Sequence, residues 1–443
     1  MPRPIQPASS TPVLRFLAAI GLCVVAVASA ATAQTATLKI PNSQLEPLSW
    51  ADLGGWTEDD HRSAFKTFMD SCRAILPRTS PGREAGPMFT ALQQICRSAR
   101  SFVASDNEKA RGFFEVNFRP VRITTLGEAA GFLTGYYEPI VEGSRTWSDE
   151  FQVPVYRKPS NLIPGGRRRI ADGFPNKGPV GRKFGRKKIV PYYDRAEIEQ
   201  GVLTGRNLEI CWLKNPIDLL FIQIQGSARI RMPDGEVVRI NYAAHNGYPY
   251  TPVGRPLIDM GVIPREEMSM DRIRKWMEEN TDVAREVRWK NRSYVFFREA
   301  QLSAVEEPKG AQGVSLTPGR SIAVDRALHI YGTLFYIEAE LPIDSAQPTT
   351  PFRRLMVGQD TGSAIVGPAR ADLYLGAGQE AGTVAGRIRH PGRFAMLMPR
   401  ELDLAAASRL VPLPPERPEF ILTKSKAIPL PRPRPKPTTD GRR

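Results

Sequence analysis

Cysteine and histidine are scarce in this chain, four of each in 443 residues. Cys72, Cys96 and Cys211 form no CxxC pair and no ligand cluster with His61, His245, His329 or His390. That scarcity argues against a zinc-type site, and no metal or cofactor is expected. Long apolar runs are also missing. The stretch Phe16 to Ala28 is too short for a comfortable membrane span, and nothing later approaches the required length. Acids are outnumbered, 46 Asp and Glu against 61 Lys and Arg, for a net charge of +15 and a pI near 9.8. Such a balance points to an anionic partner: nucleic acid, a membrane surface or an acidic polymer.

The N-terminus helps to choose among these partners. Arg3 and Arg15 precede the apolar run, and Ala28-Ser29-Ala30 and Ala31-Thr32-Ala33 follow it. This is the pattern of a secretory signal peptide over residues 1–33. Cys23 follows Leu22, where a lipoprotein signal needs a small residue, so cleavage and release are expected rather than lipid anchoring. In an oxidising compartment Cys72 and Cys96 can pair, leaving Cys211 as a buried thiol in an apolar strand; three buried thiols are the alternative. The basic stretch from Gly165 to Lys188, with Arg167, Arg168, Arg169, Lys177, Arg182 and Lys183 among its cations, would suggest nucleic acid in a cytosolic protein. Export instead favours a solvated loop facing cell-wall material, with no nucleic-acid partner. From about Pro412 to Arg443 the chain is basic and Pro-rich, which predicts an extended or disordered tail.

Between these ends the periodicity changes. Thr57, with Asp60 three residues on, resembles a capping box opening a helix. Phe65, Phe68, Met69, Cys72, Ile75 and Leu76 share one face of it before Pro77. Met88, Leu92, Ile95, Cys96 and Ala99 form a second stripe, and a third helix is expected over Asn107 to Phe118. The texture then turns to strands: Gly131 to Tyr137, Val153 to Tyr156, Leu208 to Trp212, Leu219 to Gln225, and a hairpin over Ala228 to Tyr242 around Pro233-Asp234-Gly235. After an amphipathic helix at Met270 to Asn280, strands resume at Ser293 to Phe297, Ser321 to Val324, Leu334 to Ala339, Arg354 to Val357, Leu373 to Leu375 and Phe394 to Leu397.

The stretch most suggestive of chemistry is Gln359 to Gly378, QDTGSAIVGPARADLYLGAG. Its glycines allow sharp turns or close ligand approach, with short strands expected at Ala364-Ile365 and Leu373 to Leu375. A single Asp beside Gly or Thr commonly caps a turn, and that reading suits Asp360 in Asp-Thr-Gly. Asp372 lies between Ala371 and Leu373-Tyr374, where desolvation would raise its pKa and suit it to donate a proton. Asp325 ends the apolar run Ile322 to Val324.

Two further segments carry polar groups in apolar settings. FLTGYYEP, Phe132 to Pro139, sets Thr134 and Gly135 beside Tyr136, Tyr137 and Glu138, a mixture able to hold sugar rings. LLFIQIQGS, Leu219 to Ser227, puts Gln223 and Gln225 on one face of the expected strand. These segments, with PYYDRAEIEQGVLTGRNLEICW, SYVFFRE and RSIAVD, occur in the order of the membrane-bound lytic transglycosylase A family, which the chain resembles from roughly Pro47 to Arg400. The resemblance implies a mainly β protein with N-terminal helices: a double-psi β-barrel built from residues 47–140 and 285–400, and a second β-barrel inserted at 141–284. It places the catalytic pair on Asp372, the acid, and neighbouring Asp360. Thr134, Tyr136, Gln225 and Asp325 would contact substrate, a peptidoglycan glycan strand. The implied location is the periplasm, with peripheral outer-membrane association left open; the family's lipid-attachment cysteine is missing. The basic Pro-rich tail lies outside the family pattern.

Ordinary glycosidases need two carboxylates, whereas a lytic transglycosylase manages with one. Its nucleophile is the C6 hydroxyl of the same N-acetylmuramic acid residue, already tethered near C1. Two rivals remain at this point: a hydrolase using Asp372 as acid and Asp360 as base, and a wall-binding module without catalysis.

Overall fold

The computed structural model describes residues 40–78, 86–164, 180–185, 188–344 and 347–402. The expected signal peptide, most of the basic stretch and the Pro-rich tail lie outside the described residues. The three N-terminal helices form as their stripes require, at His61–Ile75, Gly86–Ala99 and Asn107–Asn117. The first begins later than expected. Asp60 is its cap, accepting from the Ser63 amide, while Thr57 lies in the short turn Trp56–Glu58. An Asp at the cap satisfies an otherwise orphaned N–H, so Asp60 marks the helix start rather than its first turn. Phe68, Cys72, Leu92 and Cys96 are fully buried at the helix interface, and Cys72 and Cys96 form a disulfide. Cys211 is a buried free thiol.

Six strands close into a ring that supports the acids. Arg370–Ala377, carrying Asp372, lies between Ser321–Val324 and Gly131–Glu138. Gly131–Glu138 continues to Arg389–Pro399, then Leu334–Leu341, then Thr350–Asp360, which pairs in parallel with Ser321–Val324 and completes the circuit. Ser43–Pro47 and Phe118–Thr125 extend the sheet outward from Arg389–Pro399. The interior is filled by inward residues such as Leu133, Ala371, Leu373, Ile337 and Phe394, all buried. The mainly β fold with N-terminal helices, and a barrel assembled from both ends of the chain around an insert, agree with the expectation.

The insert has its own six-stranded sheet, ordered Val295–Glu299, Val237–His245, Ser227–Arg231, Ile140–Ser144, Glu209–Leu213 and Val153–Tyr156. Its edges meet at an isolated bridge between Arg157 and Phe297. Leu162–Pro164, Val180–Phe184 and Lys188–Pro191 form a separate antiparallel sheet.

Three further expectations need correction. Leu219 to Gln225 is not a strand but the greater part of the helix Pro216–Gln225. Asn215 caps it by accepting from Ile217 and Asp218, proline occupies the first turn, and Gly226 closes it in the left-handed region. The helix is buried on nearly every side, so its apolar residues show no 3.6-residue stripe and mimic a core strand. Gln223 and Gln225 therefore do not share a strand face. Second, the Ser293 to Phe297 strand, grouped by sequence with the acid-bearing region, pairs with Val237–His245 in the insert. A short apolar strand does not encode its partner. Third, Ala364-Ile365 is part of a turn, as the glycines at 362 and 367 permit.

The two sheets are joined by buried charge. Glu138, at the end of its barrel strand, is fully buried and accepts from Arg229 at 2.7 Å and Arg239 at 3.0 Å, both on the insert's hairpin. Arg229 also reaches Glu307 at 3.4 Å, and Glu307 accepts from the Tyr374 hydroxyl at 2.5 Å. Two carboxylates thus balance two guanidinium groups where the insert meets the barrel.

Candidate active site

Strand alternation and parallel register build the site. Phe132, Thr134 and Tyr136 occupy one face of Gly131–Glu138, and Arg370, Asp372 and Tyr374 the matching face of the adjoining strand, paired in that order. The opposite faces, with Leu133 and Leu373, fill the barrel core. The polar face grades from an exposed Phe132 through half-buried Thr134 and Asp372 to buried Tyr136 and Tyr374. A helix, Gly378–Arg387, packs against the first of these strands. A Cβ at Gly382 would lie 2.7 Å from the Tyr137 ring, and one at Gly135 would lie 2.9 Å from the Ala385 Cα. Bare backbone at both positions is what lets helix and strand approach so closely.

Thr134 donates its hydroxyl to Oδ1 of Asp372 at 2.5 Å, and Arg370 Nη2 donates to the Thr134 oxygen at 2.8 Å. Burial raises the Asp372 carboxyl above the ordinary aspartate value. The Thr134 hydrogen bond and the Arg370 charge pull it down, and Asp360 pushes it up. Among the described residues, Oδ2 of Asp372 has no hydrogen-bond partner.

Asp360 ends Thr350–Asp360, on the far side of Ser321–Val324 from Asp372, and both its oxygens are occupied. Oδ1 accepts from the Ala311 and Thr361 amides at 2.9 and 2.8 Å, and Oδ2 from the Tyr136 hydroxyl at 3.0 Å. Burial still raises its pKa against those donors. Tyr136 is held well above the ordinary tyrosine value by burial and by the Asp360 charge, so it remains a donor. A buried network braces Asp360 from behind. Gln359 accepts from Ser321 Oγ at 2.6 Å and donates to Thr67 O and Ser71 Oγ; Ser71 in turn donates to Gln312, next to Ala311. Ser71 adjoins the disulfide-bonded Cys72, so the clamped helix pair supports the loop that binds Asp360.

The structure brings Thr134, Tyr136, Asp360 and Asp372 together. Asp325 and Gln225 sit differently. Asp325 accepts from the Ala327 and Gly367 amides, each at 2.9 Å, and so spans the loops flanking the acids. Gln225, at the end of its helix, accepts from the Tyr137 amide at 3.0 Å, which ties the insert to the barrel strand. Sequence reasoning missed Arg370, although it stands two residues before Asp372, the spacing that places two residues on one face of a strand. It also missed Tyr250. This insert residue is pushed up to about 12 chiefly by burial, and the charge of Asp372 acts on it from across the barrel boundary.

Comparison with known proteins agrees with this construction. Residues 132–298 match the MltA specific insert domain, and residues 320–398 match the 3D domain. Membrane-bound lytic murein transglycosylase A of Escherichia coli (strain K12) is 33% identical over 267 residues, 60% of this chain and 64% of that protein. The match thus spans less than two thirds of that relative's length. The Vibrio cholerae protein of the same name is 33% identical over 289 residues, 64% of this chain and 69% of that protein. A membrane-bound lytic murein transglycosylase from Agrobacterium tumefaciens superposes with a TM-score of 0.74 at 38% identity, covering 83% of this chain and 99% of that one. The Escherichia coli protein solved with bound chitohexaose gives 0.55 at 27% identity, covering 82% of this chain and 94% of that one. With an acid-bearing barrel, an inserted second sheet and sequence identity across both, the chain belongs to the membrane-bound lytic murein transglycosylase A family.

Proposed function

We propose that this protein is a peptidoglycan lytic transglycosylase. It cleaves the β-1,4 bond between N-acetylmuramic acid and N-acetylglucosamine and leaves a 1,6-anhydro-N-acetylmuramic acid end. The observation that carries this reading is the inventory of acid oxygens. Both oxygens of Asp360 and both of Asp325 are taken by backbone amides or Tyr136, while Oδ2 of Asp372 has no partner among the described residues. A hydrolase needs a second carboxylate able to bind and deprotonate water. An intramolecular nucleophile needs only one carboxyl group that first gives and then takes a proton.

In this mechanism protonated Asp372 donates from Oδ2 to the glycosidic oxygen as the C1–O bond breaks. The C6 hydroxyl of the same muramic acid residue attacks C1, forming the C1–O6 bond, and its proton passes to the Asp372 carboxylate. The acid is regenerated and no water is consumed. The raised pKa keeps Asp372 protonated to a higher pH than an exposed aspartate. Asp360 holds Tyr136 and the Ala311 loop in place, and Asp325 spans the flanking loops. Thr134, Tyr136 and Gln225 line the groove at which the glycan binds. The chitohexaose in the Escherichia coli relative, an oligomer of N-acetylglucosamine, supports a glycan strand as ligand.

The export pattern at residues 1–33 and a wall substrate together favour the periplasm. No helix among the described residues is long and apolar enough to cross a membrane. The pairing of Val295–Glu299 with the insert's sheet favours ending the insert near 299 rather than 284. The reading is tested with Asp372→Asn, which keeps the side-chain shape but cannot donate and recover the proton. It should abolish release of muropeptides from purified peptidoglycan while glycan binding persists. Substantial residual turnover would move the acid elsewhere, and binding without turnover in the wild type would leave a wall-binding module.

A further inference from the structure

We propose that Arg370 is a positioning residue that determines which oxygen of Asp372 carries the working proton, acting through the hydroxyl of Thr134. The inference rests on Asp372 being the acid and base of the proposed reaction. A carboxyl group has two oxygens on which its proton can reside, and a threonine hydroxyl has one proton and a freely turning rotor. Left alone, Thr134 could donate to Oδ1 or accept a proton from it. In the second case the acid proton would be held inside the wall, facing the barrel strand, and withheld from a glycan.

Arg370 biases that choice. A guanidinium can only donate, and Nη2 occupies the Thr134 oxygen at 2.8 Å. The threonine proton then points away from Arg370, and among the described residues the one acceptor it meets is Oδ1 of Asp372 at 2.5 Å; were Thr134 to accept from Oδ1 with its second lone pair, its own proton would be left without a partner. An oxygen that already accepts a strong hydrogen bond is the poorer site for the acid proton, so the proton resides on Oδ2. The same oxygen therefore gives the proton to the leaving group and receives it from the C6 hydroxyl. The guanidinium is itself fixed. Nη1 donates to the Ala371 carbonyl at 2.5 Å, and the group lies 5.3 Å from the centroid of the Phe132 ring. No carboxylate forms an ion pair with Arg370 among the described residues.

Arg370 also has an electrostatic effect. Its charge favours the carboxylate form of Asp372, which the second half of the reaction needs. The other charged or titratable groups acting on Asp372 are Asp360 from Thr350–Asp360 beyond Ser321–Val324, Tyr136 from the parallel strand and Tyr250 from the insert. Ser321–Val324, the remaining neighbour, carries none. Removing Arg370 therefore raises the Asp372 pKa further and moves the alkaline limb of the rate profile to higher pH, because activity falls as the acid deprotonates.

The test compares Arg370→Met, Arg370→Lys, Thr134→Val and the Thr134→Val/Arg370→Met double variant in the full chain, on soluble peptidoglycan oligomers. Arg370→Met should lower kcat by about tenfold to a hundredfold, the scale of misaligned catalytic groups. KM should change less, and the alkaline limb should rise. Arg370→Lys, still a pure donor with charge, should recover most of the rate and return the limb. On the Thr134→Val background, Arg370→Met should cost little further rate, because the hydroxyl it orients is gone. Independent, multiplying losses in the double variant, or an unmoved limb in Arg370→Met, would overturn the proposal and leave Arg370 as a strand brace. If Arg370→Met does not fold, Arg370→Lys against Thr134→Val decides: a lysine variant as slow as the valine variant also overturns it. Asp372→Asn serves as the control. An active asparagine variant would refute Asp372 as the acid, whereas an inactive one with unimpaired Arg370→Met would refute only the role of Arg370.

Discussion

His329 offers a quantitative test of how the acid-bearing loops are held. It follows Asp325 by four residues, and its backbone amide donates to the Asp325 carbonyl at 2.8 Å. Its Nε2 lies 2.9 Å from the Pro368 carbonyl, next to Gly367, whose amide binds Asp325. A carbonyl only accepts, so Nε2 carries the proton and Nδ1 does not. The ring is buried edge-on to Phe335, and burial lowers its pKa from 6.5 to about 4. A base with a lowered folded pKa contributes stability that is complete above the ordinary value and is lost as pH falls through the window between the two. At about 1.4 kcal/mol per pH unit, the ceiling is about 3 kcal/mol, of which about 2 kcal/mol is lost by pH 5. His329→Gln keeps an Nε2 donor for Pro368 but does not titrate. Urea unfolding of both proteins at pH 8 and pH 5 isolates the effect, since the other histidines are common to both. The wild type should lose about 2 kcal/mol more than the variant between those pH values. Parallel losses would refute a buried neutral His329 as the clasp between the two loops.

Other expectations follow from the same geometry. Glu138→Ala leaves Arg239 and Arg229 without their buried carboxylate and should cost about 3 to 5 kcal/mol in chemical denaturation; a loss under about 1 kcal/mol would mean the charge cluster is not what joins insert to barrel. Reduction of Cys72–Cys96, which are 24 residues apart, should cost about 3 to 4 kcal/mol in the chain-entropy account. Oxidised protein lacking residues 1–33, and so lacking Cys23, should yield one alkylatable thiol only on denaturation, since burial pushes Cys211 up to about 12. Asp372→Asn should stabilise the fold at neutral pH, because a raised folded pKa means the buried carboxylate is the costly form. That gain should vanish as the pH falls below the ordinary aspartate value, where the wild-type side chain is protonated in both states. A gain independent of pH would contradict it.

Much of this molecule is legible in its sequence where local chemistry decides the outcome. The helix stripes at Phe65 to Ile75 and Met88 to Ala99 form as read, because one apolar face needs one cover. The strand carrying Thr134 is where expected, and the one expected at Leu373 to Leu375 starts earlier, at Arg370, so that it takes in Asp372. The run from Leu219 to Gln225 misleads because a helix buried on all sides loses its period; its true signals are Asn215, Pro216 and Gly226 at the ends. The partner of Val295–Glu299 is not readable, since pairing to Val237–His245 is set by the closure of a whole sheet. The site divides in the same way. Asp372 is conspicuous as an acid in an apolar strand, whereas Arg370 gains its meaning only once register sets Thr134 between it and the acid. The occupancy of both Asp360 oxygens by the Ala311, Thr361 and Tyr136 donors depends on a loop about fifty residues upstream and a strand of different origin, and no local pattern announces it.

The central claim is that a single carboxyl group, Asp372, works with an intramolecular nucleophile. Mass spectrometry of muropeptides released from purified peptidoglycan tests it most directly. The account predicts products ending in 1,6-anhydro-N-acetylmuramic acid, lighter by one water than the hydrolytic product, with no label taken up at C1 in ¹⁸O water. Reducing ends carrying ¹⁸O would contradict it and require a second carboxylate to activate water on the same scaffold.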